Sequence, residues 1–170
     1  FVAVNTDRQA LDASRADVVI PVGAEVTRGL GTGGDPSTGE MAFRESEDHL
    51  RRVLRGSDLV FIAAGEGGGT GTGGSPIVAK VAREMGALAV AVVTRPFGFE
   101  GTKRATTADL GIHHLQDAAD TVIVIPNDRL MNVLERGTSV VQAFAVADDL
   151  LRQGVQGICD LITLPGLINV

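Results

Sequence analysis

The stretch Gly65–Pro76, GEGGGTGTGGSP, holds seven glycines in twelve residues. Each glycine costs roughly 0.5–1 kcal/mol relative to alanine inside regular structure, because its unfolded backbone has more freedom to lose. The flanks show what the stretch connects. Leu59–Ala64, LVFIAA, is a short apolar run of the buried-strand kind. Downstream, Ser75 and Pro76 suit the cap and first turn of a helix. Ile77, Val78, Val81 and Met85 then recur at helical spacing, and Gly86 is a natural stop. Strand, glycine loop and helix in this order bring backbone N–H groups together at the positive end of the helix dipole. Such a place suits phosphate, and the glycines are expected to let phosphate oxygens approach the main chain.

Three kinds of phosphate loop must be separated. The lysine-bearing loop, G-x-x-x-x-G-K-[ST], is absent, since no Gly-Lys pair occurs in the chain. The dinucleotide fingerprint G-x-G-x-x-G is formally present as Gly69, Gly71 and Gly74. It calls for an acidic residue about 20 positions on, at the end of the next strand. That strand, Ala87–Val93, ends in Thr94 and Arg95, and the first acid after it is Glu100. An NADP-dependent oxidoreductase stays open as an alternative only if Arg95 reads a 2′-phosphate. The third pattern, G-G-G-T-G-[ST]-G, is matched at every position by Gly67–Gly73.

Further segments accompany it: NTDRQAL (Asn5–Leu11), TRGLGTGGDP (Thr27–Pro36), VVTRPFGFEG (Val92–Gly101), IPNDRL (Ile125–Leu130) and GVQGICDLITLPGLIN (Gly154–Asn169). Together these make the chain resemble the FtsZ family, the bacterial tubulin-like cell-division GTPases, over essentially its whole length. The resemblance implies an α/β fold with a three-layer, Rossmann-like parallel sheet, helices on both faces and a long closing core helix. It implies that residues 1–170 are an incomplete GTP-binding domain. The family's first strand and first glycine loop, G-x-G-G-G-G-x-N, are expected before Phe1. The N-x-D-x-x-D acidic loop, of which Asn169 is present, and a C-terminal domain are expected after Val170.

Site residues follow from the same resemblance. Gly69, Thr70, Gly71 and Thr72 are expected on the phosphates of GTP or GDP. Gly31, Gly33 and Gly34 match the loop that approaches the terminal phosphate, with Thr32 and Gly34 where the family commonly has alanine. Glu100 is expected on the ribose hydroxyls and Arg104 near ribose and phosphates. Asn127, Phe144 and Asp148 are expected to hold guanine. Phe144 and Asp148 lie four apart, hence on one helix face. An aromatic ring can stack on a purine, and a carboxylate accepts from the N1–H and N2–H₂ donors that guanine alone presents. Magnesium is expected with the nucleotide, held by phosphate oxygens and water rather than by protein ligands. No catalytic residue is assigned within the chain, because the family's acidic loop acts on the next subunit. The implied partners are a second copy, head to tail, and membrane-tethering and regulatory division proteins. The implied place is the cytoplasm at the division site. A related polymer that binds nucleotide without turnover is a further alternative.

Composition is compatible with this. A net charge of −6 with no basic stripe argues against nucleic acid as the main ligand. The single cysteine, Cys159, excludes an internal disulfide and fits a reducing compartment. The longest apolar runs are about seven residues, against roughly 20 for a membrane span. His113 and His114 are adjacent and diverge by about 100° on a helix, so they form no chelating pair. Strands are expected at Phe1–Val4, Val18–Val22, Leu59–Ala64, Leu88–Val93 and Thr121–Ile125. Helices are expected near Arg8–Ala13, Glu40–Arg55, Pro76–Met85, Thr106–Ala119, Asn127–Leu134 and Ser139–Thr163. The unusual loops, Asn5–Asp7, Gly29–Asp35, Gly65–Gly74, Thr94–Arg104 and Asn127, then all fall at carboxyl ends of strands, where open α/β sheets bind ligands.

Overall fold

The computed structural model describes residues 1–132, 134 and 137–163. Strands and helices alternate along them. The order is β1 (Val2–Asn5), α1 (Arg8–Asp12), β2 (Val18–Pro21), α2 (Ala24–Thr27), α3 (Pro36–Glu45) and α4 (Glu47–Leu54). There follow β3 (Leu59–Gly65), α5 (Thr70–Glu84), β4 (Leu88–Arg95), α6 (Thr102–Ala118), β5 (Thr121–Pro126) and α7 (Val140–Thr163). Short 3-10 turns occupy Gly98–Glu100 and Asn127–Asn132.

All strand pairing is parallel, in two ladders. β1 pairs with β2, from Val2 opposite Val18 to Asn5 opposite Pro21. β4 lies between β3 and β5, with Gly65 opposite Thr94 and Thr94 opposite Ile125. A central parallel strand is covered on both faces, so it reads as continuously apolar. Ala89, Ala91, Val92 and Val93 of β4 are accordingly at 0 % exposure. Ala79 and Ala82 of α5 and Ile112 and Leu115 of α6 close over one face of this ladder. On the other, α7 comes close enough that a Cβ at Gly154 would lie 3.4 Å from Val92 Cγ1. Helix α5 joins the two ladders, since Ile77 and Val81 pack with Ile20 and Val22 at the end of β2 and with Phe43 and Leu50.

Four expected helices are corrected. α5 starts at Thr70, so Pro76 is inside the helix rather than in its first turn. Helix propensity argues against a G-T-G-G opening, but close packing on α3 overrides it. The expected helix Glu40–Arg55 is two helices, broken at Ser46 (φ −107°, ψ 10°). The first begins at Pro36, where the Asp35 carboxylate accepts from the N–H groups of Ser37 and Thr38, an Asp-Pro start that is plain in the sequence. Asn127–Asn132 is a 3-10 turn rather than an α-helix, and α6 begins at Thr102, ahead of Thr106. Among the described residues no helix is long and apolar enough to cross a membrane.

Candidate functional site

At the end of β3 the backbone N–H of Glu66 donates to the Thr94 carbonyl at 2.9 Å. The chain then turns at Gly67, whose φ of 102° disfavours any side chain. The Gly67 N–H donates to Thr72 Oγ1 at 2.8 Å. The first helical bond runs from the Gly73 N–H to the Gly69 carbonyl at 2.9 Å. Among the described residues no backbone acceptor takes the N–H groups of Gly68 through Thr72. A run of free donors at the positive end of a 15-residue helix is suited to an anion.

Most of the glycines also answer to protein packing, a reason the sequence reading did not consider. A Cβ at Gly71 would lie 2.4 Å from the Gly65 carbonyl oxygen. At Gly73 it would lie 2.1 Å from the Pro36 oxygen, and at Gly74 2.4 Å from the Phe43 ring. At Gly69 it would meet Thr32 Oγ1 at 2.0 Å, and at Gly39 the Gly69 oxygen at 2.2 Å. Gly39 and Gly73 let α3 and the start of α5 touch backbone to backbone. Gly68 differs, for its nearest neighbour would be Arg104 Nη2 at 3.9 Å and its φ is ordinary.

The neighbouring loops close on this one. Thr6 Oγ1 and Thr70 Oγ1 share a hydrogen bond at 2.7 Å, tying the end of β1 to the start of α5. The Thr6 carbonyl accepts from the Gly31 N–H at 3.1 Å. Gly31, Gly33 and Gly34 all have left-handed φ, and nothing lies within 4 Å of a Cβ at Gly33 or Gly34. That part of the loop therefore borders open space beside Gly69.

On the far side Glu100 and Arg104 hold each other, with Arg104 Nε 3.2 Å from Glu100 Oε2. The other oxygen of Glu100 accepts from the Phe97 N–H at 2.8 Å. Phe97 is fully buried with Leu130, Ala143 and Ala147. Its ring stacks on Phe99 at 4.8 Å and meets Phe144 edge-on at 5.5 Å. Asn127 is 4 % exposed, and its side-chain oxygen has no hydrogen-bond partner among the described residues. Next to it, Asp128 accepts from the Gly98 N–H at 2.7 Å. Asp148, one turn beyond Phe144, is exposed and makes no ion pair or hydrogen bond among the described residues. Asp149 is instead taken by Arg152 and Gln153. Arg95 is committed to a two-pronged bond with Asp109, at 2.7 and 2.9 Å. The dinucleotide alternative would have to open that pair to free Arg95 for a 2′-phosphate.

Part of the set anticipated from sequence is thus joined by contacts. Thr32 lies on Gly69, Arg104 beside Gly68, Glu100 on Arg104, and Phe97 links Glu100 to Phe144. Sequence reading missed Thr6, Phe97, Asp128 and Glu66. Thr6 and Phe97 stand inside segments that the resemblance rests on, which was the available signal. Asn169 lies outside the described residues.

Known proteins share this fold. A family model described as the Tubulin/FtsZ family, GTPase domain, matches residues 1–135. Among solved structures, an empty FtsZ dimer from M. jannaschii is 47 % identical with a TM-score of 0.94, covering 99 % of this chain and 49 % of that one. A point mutant of FtsZ from M. jannaschii is also 47 % identical, with a TM-score of 0.95, covering 99 % and 51 %. CetZ1 from Haloferax volcanii, a GDP-bound monomer, shares the fold at 22 % identity and a TM-score of 0.77, covering 89 % and 48 %. The chain spans about half the length of the FtsZ chains it matches. With its parallel sheets, its glycine loop and a matched GTPase-domain model, the chain belongs to the Tubulin/FtsZ family.

Proposed function

We propose that this chain binds GTP and hydrolyses it as a subunit of a head-to-tail filament in bacterial cell division. It would act in the cytoplasm at the division site. Residues 1–170 form part of its GTP-binding domain, and membrane-tethering and regulatory division proteins contact it elsewhere. The observation that carries the reading is the run of unpartnered N–H groups from Gly68 to Thr72 at the start of α5. Gly69, Thr70, Gly71 and Thr72 receive the phosphates, and Gly31, Gly33 and Gly34 border the terminal one. Glu100 turns from Arg104 toward the ribose hydroxyls, and Arg104 toward ribose and phosphate. Phe144 stacks on the base while Asn127 and Asp148 read its edge. Magnesium would accompany the nucleotide and would offset phosphate charge without a dedicated set of protein ligands in this chain. Hydrolysis adds a water oxygen to the terminal phosphorus and breaks its bond to the bridging oxygen, giving GDP, phosphate and a proton. This chain's loops position the phosphates, and carboxylates of the next subunit orient the water. Turnover per molecule therefore rises with protein concentration. A turnover that is flat from dilute to assembling conditions contradicts the proposal, and absent turnover with intact assembly favours the structural polymer.

Base reading gives a second expected result. Asp148→Asn weakens GTP binding by about 1.5–3 kcal/mol, the range for hydrogen bonds to a charged group. It also narrows the preference for GTP over ATP, measured by titration calorimetry. Unchanged affinity and selectivity would remove Asp148 from the base site.

A further inference from the structure

Beneath the glycine loop sits a carboxyl group that the phosphate site does not account for. Glu66 is 2 % exposed. One of its oxygens accepts from the Ser75 hydroxyl at 3.0 Å, and the other, on the side of the Thr72 hydroxyl, makes no hydrogen bond of normal geometry among the described residues. Room for it comes from α6, where a Cβ at Gly111 would lie 2.7 Å from that second oxygen and 2.2 Å from Thr72 Cγ2. The group touches the loop's own scaffold. Thr72, packed against the same glycine, takes the Gly67 N–H that sets the turn, and Ser75 is in the second turn of α5.

From α5 the carboxyl faces the Ser75 and Thr72 hydroxyls, from α6 the bare Gly111, and from β4 comes only the Thr94 carbonyl on its backbone. Among the described residues the charged and titratable groups of these elements, Lys80, Arg104, Asp109, His113 and His114, make no ion pair with it; Lys80 pairs with Glu84, Arg104 with Glu100 and Asp109 with Arg95. Burial pushes its pKa up, opposed by the Ser75 and Thr72 hydroxyls. An ionised carboxylate there leaves one oxygen bare in a dry site and sets a negative charge behind a loop built for anions.

We propose that Glu66 is a positioning residue of the phosphate loop, which receives nucleotide phosphate in the form where Glu66 is protonated. This rests on the reading of the loop as a GTP site. Linkage is reciprocal, so nucleotide binding draws a proton onto Glu66, and affinity falls as pH rises. The same sign holds for the empty protein. A folded pKa raised above the unfolded value gives stability that is full below the ordinary carboxylate range and lost as pH rises through the folded pKa.

The test is GTP affinity by calorimetry from about pH 5 to about pH 8 for the parent, Glu66→Gln and Ser75→Ala. The parent weakens by roughly threefold or more across that range, the size of a pKa change of about half a unit on binding. The nucleotide's own phosphate ionisation is common to all three proteins and cancels in the comparison. Glu66→Gln flattens the Glu66 part of the profile. Ser75→Ala removes the donor that favours the ionised form and moves the profile to higher pH. Equal pH slopes in the parent and Glu66→Gln overturn the role of Glu66 while leaving GTP binding intact. Absence of GTP binding at every pH overturns both this role and the loop reading. If Glu66→Gln fails to fold, an unmoved profile in Ser75→Ala overturns the role by itself.

Discussion

Gly73→Ala is expected to lower stability by about 3 kcal/mol or more, at the upper end of overpacking effects. Two terms compete. Alanine is the better helix former by roughly 0.8–1 kcal/mol, so a glycine kept only for loop flexibility would be improved by the change. Against it, the added methyl would meet the Pro36 oxygen at 2.1 Å and the Glu40 nitrogen at 2.5 Å. Both are backbone atoms of α3 and cannot swing aside as a side-chain tip can. Relief requires α3 to move off α5, which opens the cluster that Phe43 and Leu50 make with Ile77 and Val81. The steric term wins. Gly157→Ala is the control: it is an exposed position inside α7 with nothing within 4 Å of its Cβ, so only the helix term acts and it should gain roughly 0.8–1 kcal/mol over the parent. Urea midpoints of the two variants measure the difference. A Gly73→Ala midpoint at or above the parent's would mean that the backbone contact of α3 with α5 is not what fixes this glycine.

That prediction also shows where the sequence was and was not sufficient. Continuous apolar runs identify buried parallel strands, so the edges of β3, β4 and β5 are legible within a residue or two. The start of α5 was not, because propensity places glycines outside a helix and only the facing Pro36–Gly39 backbone keeps them in it. The Asp-Pro start of α3 was readable from capping rules alone, and Ser46 had to be seen in place to break the helix beside Gly23. At the site, Asp148 and Phe144 could be paired by their spacing of four, whereas the Phe97 link between Glu100 and Phe144 is a tertiary contact with no periodicity. Glu66 was invisible for a similar reason. An acid in a glycine loop reads as solvated until Gly111 is found to make room for it.

The phosphate cradle is the central claim, and Gly71 cannot test it, because a methyl there strikes the Gly65 carbonyl at 2.4 Å and disturbs the fold itself. Gly68 can. Its φ is ordinary, and a Cβ would have 3.9 Å to the flexible end of Arg104, so Gly68→Ala should fold with stability within about 0.5 kcal/mol of the parent. On the ligand side the same methyl stands among the free N–H groups of Gly68 to Thr72. It holds phosphate oxygens away from one or two of them, each bond to a charged group contributing roughly 1.5–3 kcal/mol. GTP affinity should therefore fall by about 2–4 kcal/mol, at least about thirtyfold. The deciding measurement is a calorimetric GTP titration of the parent and of Gly68→Ala, beside their thermal melts. The account predicts tight binding by the parent, loss in the variant and coincident melts. Equal GTP affinity in two equally stable proteins, or no GTP binding by the parent, would contradict it.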